Sequence, residues 1–153
     1  MGITCRWLNA SGAHFHNYLD LGMSTFTESA SFYGAVFSSD ARFSRARFRA
    51  FANFNMATFR GCANFSKAFF QGDARFRHIK YEGCGCGDFG GARFNVVYWH
   101  TDPPIFLVES PGEFISELPC GAVWADFSGD FALEVDEPEV WCRENRSSGK
   151  LRG

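Results

Sequence analysis

Leucine is scarce in this chain, standing only at positions 8, 19, 21, 107, 118, 133 and 151. A generic globular core is rich in leucine, so something else must fill this one. Proline is absent before residue 103 and then occurs at 103, 104, 111, 119 and 138. Proline cannot donate to a strand ladder, so its absence fits a body of hydrogen-bonded strands and turns that ends near residue 100. No apolar run approaches the roughly 18 residues of a membrane span. The first ten residues hold one arginine and no apolar stretch of signal-peptide length, so secretion through a standard signal is not expected. Met1-Gly2 is followed by Arg6 where a myristoylation start needs Ser or Thr. Glycine-rich phosphate loops, a Gly-x-Ser-x-Gly elbow and a metalloprotease histidine pair are all missing, so nothing points to an enzyme.

Phenylalanine is what the chain has instead: 19 of its 153 residues. Their positions are ordered. Starting at Phe15 and stepping alternately by six and five reaches Leu21, Phe26, Phe32, Phe37, Phe43, Phe48, Phe54, Phe59, Phe65, Phe70, Phe76 and Tyr81. Two residues before these stand Ala30, Ala35, Ala41, Ala46, Ala52, Ala57, Ala63, Ala68 and Ala74, with Ala13 at the start of the register. The unit is Ala-x-Phe-x-x, lengthened by one residue at every second step. Spacings of five and six scatter Phe around a helix, so the pattern is not amphipathic helix. Ala-x-Phe puts two side chains on one side of a very short extended segment and the middle residue on the other. The following pair turns the chain, which therefore winds into a coil with Ala and Phe inside.

Runs such as Ala41-Arg-Phe-Ser-Arg-Ala46-Arg-Phe and Ala52-Asn-Phe-Asn-Met-Ala57-Thr-Phe resemble pentapeptide-repeat proteins. The resemblance covers Phe15 to about Phe94. It implies an all-β fold, a right-handed quadrilateral β-helix of about four coils, with the central Phe stacked in ladders. The departure is the six-residue second unit, which makes each coil 22 residues. Phe32, Phe54 and Phe76 should then stack, as should Phe37, Phe59 and Tyr81, with Phe43, Phe48, Phe65 and Phe70 in the flanking ladders. Coils should lie about 4.8 Å apart. The extra residues Tyr18, Asp40, Cys62 and Cys84 should share one corner, and Ser29, Phe51 and Asp73 the opposite one.

Six cysteines stand at 5, 62, 84, 86, 120 and 142. Without a secretion signal they are expected to remain thiols in a cytoplasmic protein. The corner column does bring Cys62 and Cys84 within conceivable reach of a disulfide. His78, Cys84, Cys86 and His100 lack the usual C-x-x-C spacing of structural zinc, so neither metal nor cofactor is expected. The six residues from Glu82 to Gly87 read as a two-residue insertion at a bulged corner, after which Phe89 and Phe94 resume the register.

Four regions follow: 1–14 as an N-terminal cap plugged by Trp7 and Leu8, 15–95 as the coil, 96–142 as a C-terminal cap, and 143–153 as a flexible tail. Within the third, 121–127 and 131–135 flank Ser-Gly-Asp and read as a hairpin. An open β-helix end exposes strand edges, and solenoids need caps.

Charge divides the chain. Residues 41–95 hold ten bases and three acids, a net +7, whereas 96–142 hold ten acids and no Lys or Arg. Arg42, Arg47, Arg75 and Arg93 occupy outward middle positions and form the candidate binding surface. The family's best-known activity, inhibition of the topoisomerase gyrase by an acidic coil that mimics DNA, needs negative charge where this coil is positive. The expected role is a non-enzymatic structural or protein-interaction scaffold. A nucleic-acid-binding module is the first alternative and a gyrase-directed DNA mimic the second. The expected partner is another protein, with an end-to-end homodimer as one form of assembly.

Overall fold

A computed structural model describes residues 2–83, 87–100 and 117–147. Two-residue strands succeed one another around four faces of a solenoid of about four turns. Face A carries Thr4–Cys5, Thr25–Phe26, Arg47–Phe48, Phe69–Phe70 and Arg93–Asn95. Face B carries Leu8–Asn9, Ala30–Ser31, Ala52–Asn53 and Ala74–Arg75. His14–Phe15, Val36–Phe37, Thr58–Phe59 and Lys80–Tyr81 make face C, and Leu19–Asp20, Ala41–Arg42 and Ala63–Asn64 make face D. Within these faces the strands pair in parallel, and in the regular coils each residue meets the one 22 positions on, as Ala30, Ala52 and Ala74 do.

The corners explain the alternating step. In five-residue units the chain turns through Phe-x-x-Ala, with Ala46 N donating to Phe43 O and Ala57 N to Phe54 O. The third residue of each turn lies in the left-handed region, at φ 58° for Arg45, 64° for Met56 and 55° for Lys67. That is a type II turn. Asn or Asp in the preceding strand often closes it from outside: Asn53 Oδ1 accepts from Asn55 N, and Asn64 Oδ1 from Ser66 N. Six-residue units make the wider corners between faces A and B and between C and D. There Gly61 and Gly72 are required, because a Cβ would lie 2.4 Å from Ser39 C and 2.2 Å from Ala50 O.

The core is the phenylalanine ladder. Phe32, Phe37, Phe43, Phe48, Phe54, Phe59, Phe65, Phe70 and Phe76 are at most 4% exposed, and Tyr81 is partly buried. Rings in one column stack nearly parallel: Phe32–Phe54 at 4.9 Å, Phe54–Phe76 at 5.0 Å, Phe37–Phe59 at 4.6 Å and Phe59–Tyr81 at 5.7 Å. Between columns they meet edge to face, Phe43–Phe54 at 86° and Phe54–Phe65 at 89°. Both arrangements suit the ring quadrupole, since the stacks are offset. Each buried Phe contributes roughly 1.5–3 kcal/mol gross. Alanine two residues earlier is small enough to let rings from all four faces meet on the axis.

The insertion before Gly87 shifts the register from 22 to 24: Phe65 stacks on Phe89 at 4.9 Å and Phe70 on Phe94 at 4.5 Å. Beyond Phe94 the coil gives way to a one-turn 3-10 helix, Val96–Tyr98. Among the described residues face A alone continues, with Val123–Asp126 parallel to Arg93–Asn95 and Leu133–Val135 returning antiparallel as the hairpin. Val96 and Trp124 are buried in the coil's core cluster, at 0% and 9% exposure.

Three expectations need correction. Residues 1–14 do not form a separate cap, because Thr4–Cys5 and Leu8–Asn9 are already strands of the coil. The pattern fades there because Cys5 lies opposite Phe26 and Ala10, two residues beyond Leu8, follows the same register into the Phe32 column. Trp7, expected as a plug, is 63% exposed. Residues 143–147 are not a frayed tail but the end of an α-helix, Pro138–Ser147. Pro138 starts it, where its missing N–H costs nothing, and it docks through Trp141 Nε1, which donates to Asp126 Oδ2 at 3.1 Å, and Cys142 Sγ, which donates to Val96 O at 3.9 Å. Residues 148–153 lie outside the described residues. The third concerns the cysteines: Cys5, Cys120 and Cys142 are free, but Cys62 is disulfide-bonded. Cys84 and Cys86 lie outside the described residues, and the cysteines no longer argue for a reducing compartment.

Candidate functional site

Outward side chains differ from face to face. On faces B and D the middle position of each unit helps to close a tight corner, and its charges are neutralised locally. Arg42 meets Asp20 at 3.1 Å and also donates to Ser44 Oγ, and Arg75 meets Asp73 at 2.7 Å with only 14% of its side chain exposed. The surface expected from Arg42, Arg47, Arg75 and Arg93 is therefore not one surface. Arg42 lies on face D, Arg75 on face B, and only Arg47 and Arg93 share face A.

Face A concentrates unpaired positive charge. Register places Thr25, Arg47, Phe69 and Arg93 in one outward column. Arg49 flanks it toward the wide corner, and Arg45 and Lys67 project from the tight corner. Arg45, Arg47, Arg49 and Lys67 are exposed, and none has an acidic partner within ion-pair distance among the described residues. The Arg47 guanidinium lies 4.6 Å over the Phe69 ring, a cation–π contact that holds it flat against the face. Arg93 is engaged differently, donating from Nη1 to Ala132 O and so tying the hairpin down.

Two clefts border this column. The first, of about 380 Å³, runs between Arg47, Arg49 and Phe69 on the coil and Phe127, Asp130 and Phe131 on the hairpin. The second, of about 360 Å³, is lined by Met23, Arg45, Arg47, Lys67 and Phe69. Sequence reasoning missed Arg45, Arg49 and Lys67, which occupy turn slots and therefore read as solvated surface. The signal was present: a 22-residue step puts Arg45 and Lys67 on one corner.

Elsewhere unpaired cations are sparser: Lys80 on face C is exposed without an acidic partner within ion-pair distance among the described residues. His14 and His16 stack at 4.1 Å and His14 Nε2 lies 2.6 Å from Ser38 Oγ. Desolvation, with His16 and Arg60 adding repulsion, holds His14 below the ordinary histidine pKa. Burial pushes the Cys142 thiol up.

A family model described as Pentapeptide repeats (9 copies) matches residues 10–55 and 43–88, together a little over half of the chain. This chain belongs to the pentapeptide-repeat family. Neither the curated proteins nor the solved structures gave a match. The cationic face A is set by what the outward positions of this chain carry. The hairpin and helix lie beyond the matched residues. No helix among the described residues is long and apolar enough to cross a membrane.

Proposed function

We propose that this repeat scaffold is a non-enzymatic protein-interaction module whose recognition surface is face A. One observation carries the reading: Arg45, Arg47, Arg49 and Lys67 crowd one face without acidic partners among the described residues, while Arg6, Arg42, Arg60 and Arg75 are paired. Unneutralised charge beside an aromatic ring is the composition of an interface centre, in which Arg and aromatic residues are enriched. In the same reading residues 96–142 cap the last coil, and their acids keep the cationic face from accepting every anion. A DNA mimic is disfavoured, because a mimic needs acids along the coil.

The test is affinity capture with the immobilised full chain and with an Arg45→Glu, Lys67→Glu chain. A partner retained by the first and lost by the second is the expected result. Equal retention by both chains, or no retained protein, overturns the reading. The unpaired cations also favour a second reading, nucleic-acid binding. Retention on duplex DNA that falls steeply with salt would support it.

A further inference from the structure

The cleft between face A and the hairpin has a composition that the solenoid itself does not demand. Its coil wall holds two guanidinium groups, Arg47 and Arg49, with Phe69 on the next strand beside Arg47. The hairpin wall adds Phe127 and Phe131, and Phe131 is 77% exposed. Leu133, which opens the strand that follows, is 65% exposed. That strand, Leu133–Val135, ends the seven-stranded sheet and pairs only with Val123–Asp126 among the described residues. Charge and aromatic walls therefore meet in the cleft, whereas the open edge of Leu133–Val135 lies beyond it at the end of the sheet.

We infer that this cleft binds an acidic peptide segment in which a carboxylate neighbours a large apolar side chain. The carboxylate would bridge Arg47 and Arg49, where charge-assisted hydrogen bonds are strongest. The apolar side chain would lie between Phe69 and Phe131, covering the ring that the fold leaves bare. The volume, about 380 Å³, falls in the range of pre-formed ligand sites. A simple inorganic anion would use the guanidinium groups and leave the aromatic walls empty. A nucleic-acid strand would stack on the rings, but its phosphates would have to pass Asp130 at the rim and Asp126, Glu134 and Asp136 on the hairpin. A segment with one or two carboxylates avoids that repulsion. Asp130 opposite the arginines also selects the ligand's direction across the cleft.

The inference rests on the interaction-scaffold reading, and its test separates the two. The probe is a fluorescein-labelled, N-acetylated Glu-Phe-Glu-Phe-Glu peptide titrated with the full chain and followed by anisotropy. Its Gln-Phe-Gln-Phe-Gln counterpart, inorganic phosphate and a twelve-residue oligo-dT are run beside it. The acidic peptide should bind saturably, about tenfold or more tighter than the Gln peptide. Phosphate at equal concentration should not displace it. Arg47→Gln with Arg49→Gln, and separately Phe131→Ala, should each weaken it about tenfold, while Arg60→Gln on the far corner should leave it unchanged. Phe131 is exposed, so that variant tests the cleft even if the double variant fails to fold. Absence of saturable binding, equal binding of the Gln peptide, tighter binding of oligo-dT or indifference to Phe131→Ala would each overturn the inference. A cellular partner captured equally by the wild type and Phe131→Ala would overturn the cleft and leave the scaffold reading standing.

Discussion

The coil and the C-terminal unit are held together by different logics. In the coil, each residue repeats the role of the one 22 positions earlier, and stability is a sum of like neighbours, as in other solenoids. In the C-terminal unit each contact occurs once. Trp124 continues the Phe94 column as the partner of that residue on face A. Trp141 holds the helix by one hydrogen bond to Asp126, and Arg93 ties the hairpin through Ala132 O. The repeated part tolerates variety at outward positions, so its surface is free to carry charge. The singular part supplies what a regular coil cannot: a second wall, and with it a cleft. If the cleft binds as proposed, recognition is sited where periodicity stops.

The sharpest way to break the comparison is inside the ladder. Phe54→Ala should cost about 3–5 kcal/mol, because Phe54 is fully buried between Phe32 and Phe76. The equivalent change in the singular part, Phe131→Ala, should stay within about 0.5 kcal/mol. Chemical denaturation of both variants decides it, and a loss under 1 kcal/mol for Phe54→Ala would sink the ladder as the source of stability. Next, Ala57→Leu should destabilise by about 1–3 kcal/mol, since Ala57 is fully buried and added methylenes must displace rings. A neutral Ala57→Leu would mean that the coil can widen. Trp141→Phe should cost about 0.5–1.5 kcal/mol through the lost bond to Asp126. Its effect should appear in hydrogen exchange of the helix before that of the coil, and uniform loss of protection would show the two parts to be one cooperative unit.

The smallest effect is one of pH. His14 has a depressed pKa, so the folded chain holds fewer protons there than the unfolded chain as pH falls through the ordinary histidine range. Its contribution is fully present above the unfolded value near 6.5 and is lost as pH drops through the folded value. A proton NMR titration should therefore give His14 a midpoint below 6.5. A midpoint above it would contradict the stacked, partly desolvated pair with His16.

The coil was legible from sequence because one side chain occupies one slot. Phe is large enough to need burial, Ala small enough to permit it, and the alternation of five and six follows from two kinds of corner. Even the insertion before Phe89 was readable as a slip of two residues. Legibility failed where the slot stayed and the residue changed. Cys5 and Ala10 continue the coil without filling it, so the N-terminal strands looked like a cap. It failed again in the helix Pro138–Ser147, whose apolar anchors, Trp141 and Cys142, are too few to mark a periodic face.

The proposed recognition face shows the same boundary. The residues named from sequence, Arg42, Arg47, Arg75 and Arg93, were chosen by their position within a unit. Position within a unit says that a side chain points outward, but the face it points from depends on the count around the coil, and its free charge depends on neighbours one coil away. Asp20 and Asp73 neutralise two of the four. By itself the sequence determined the coil, its register and its ladder, because burial of one repeated residue type is a local, additive demand. Only the tertiary structure decided which cations remain unpaired, which share a face, and that a hairpin carrying Phe131 stands opposite them, because those facts arise from contacts between residues that no period relates.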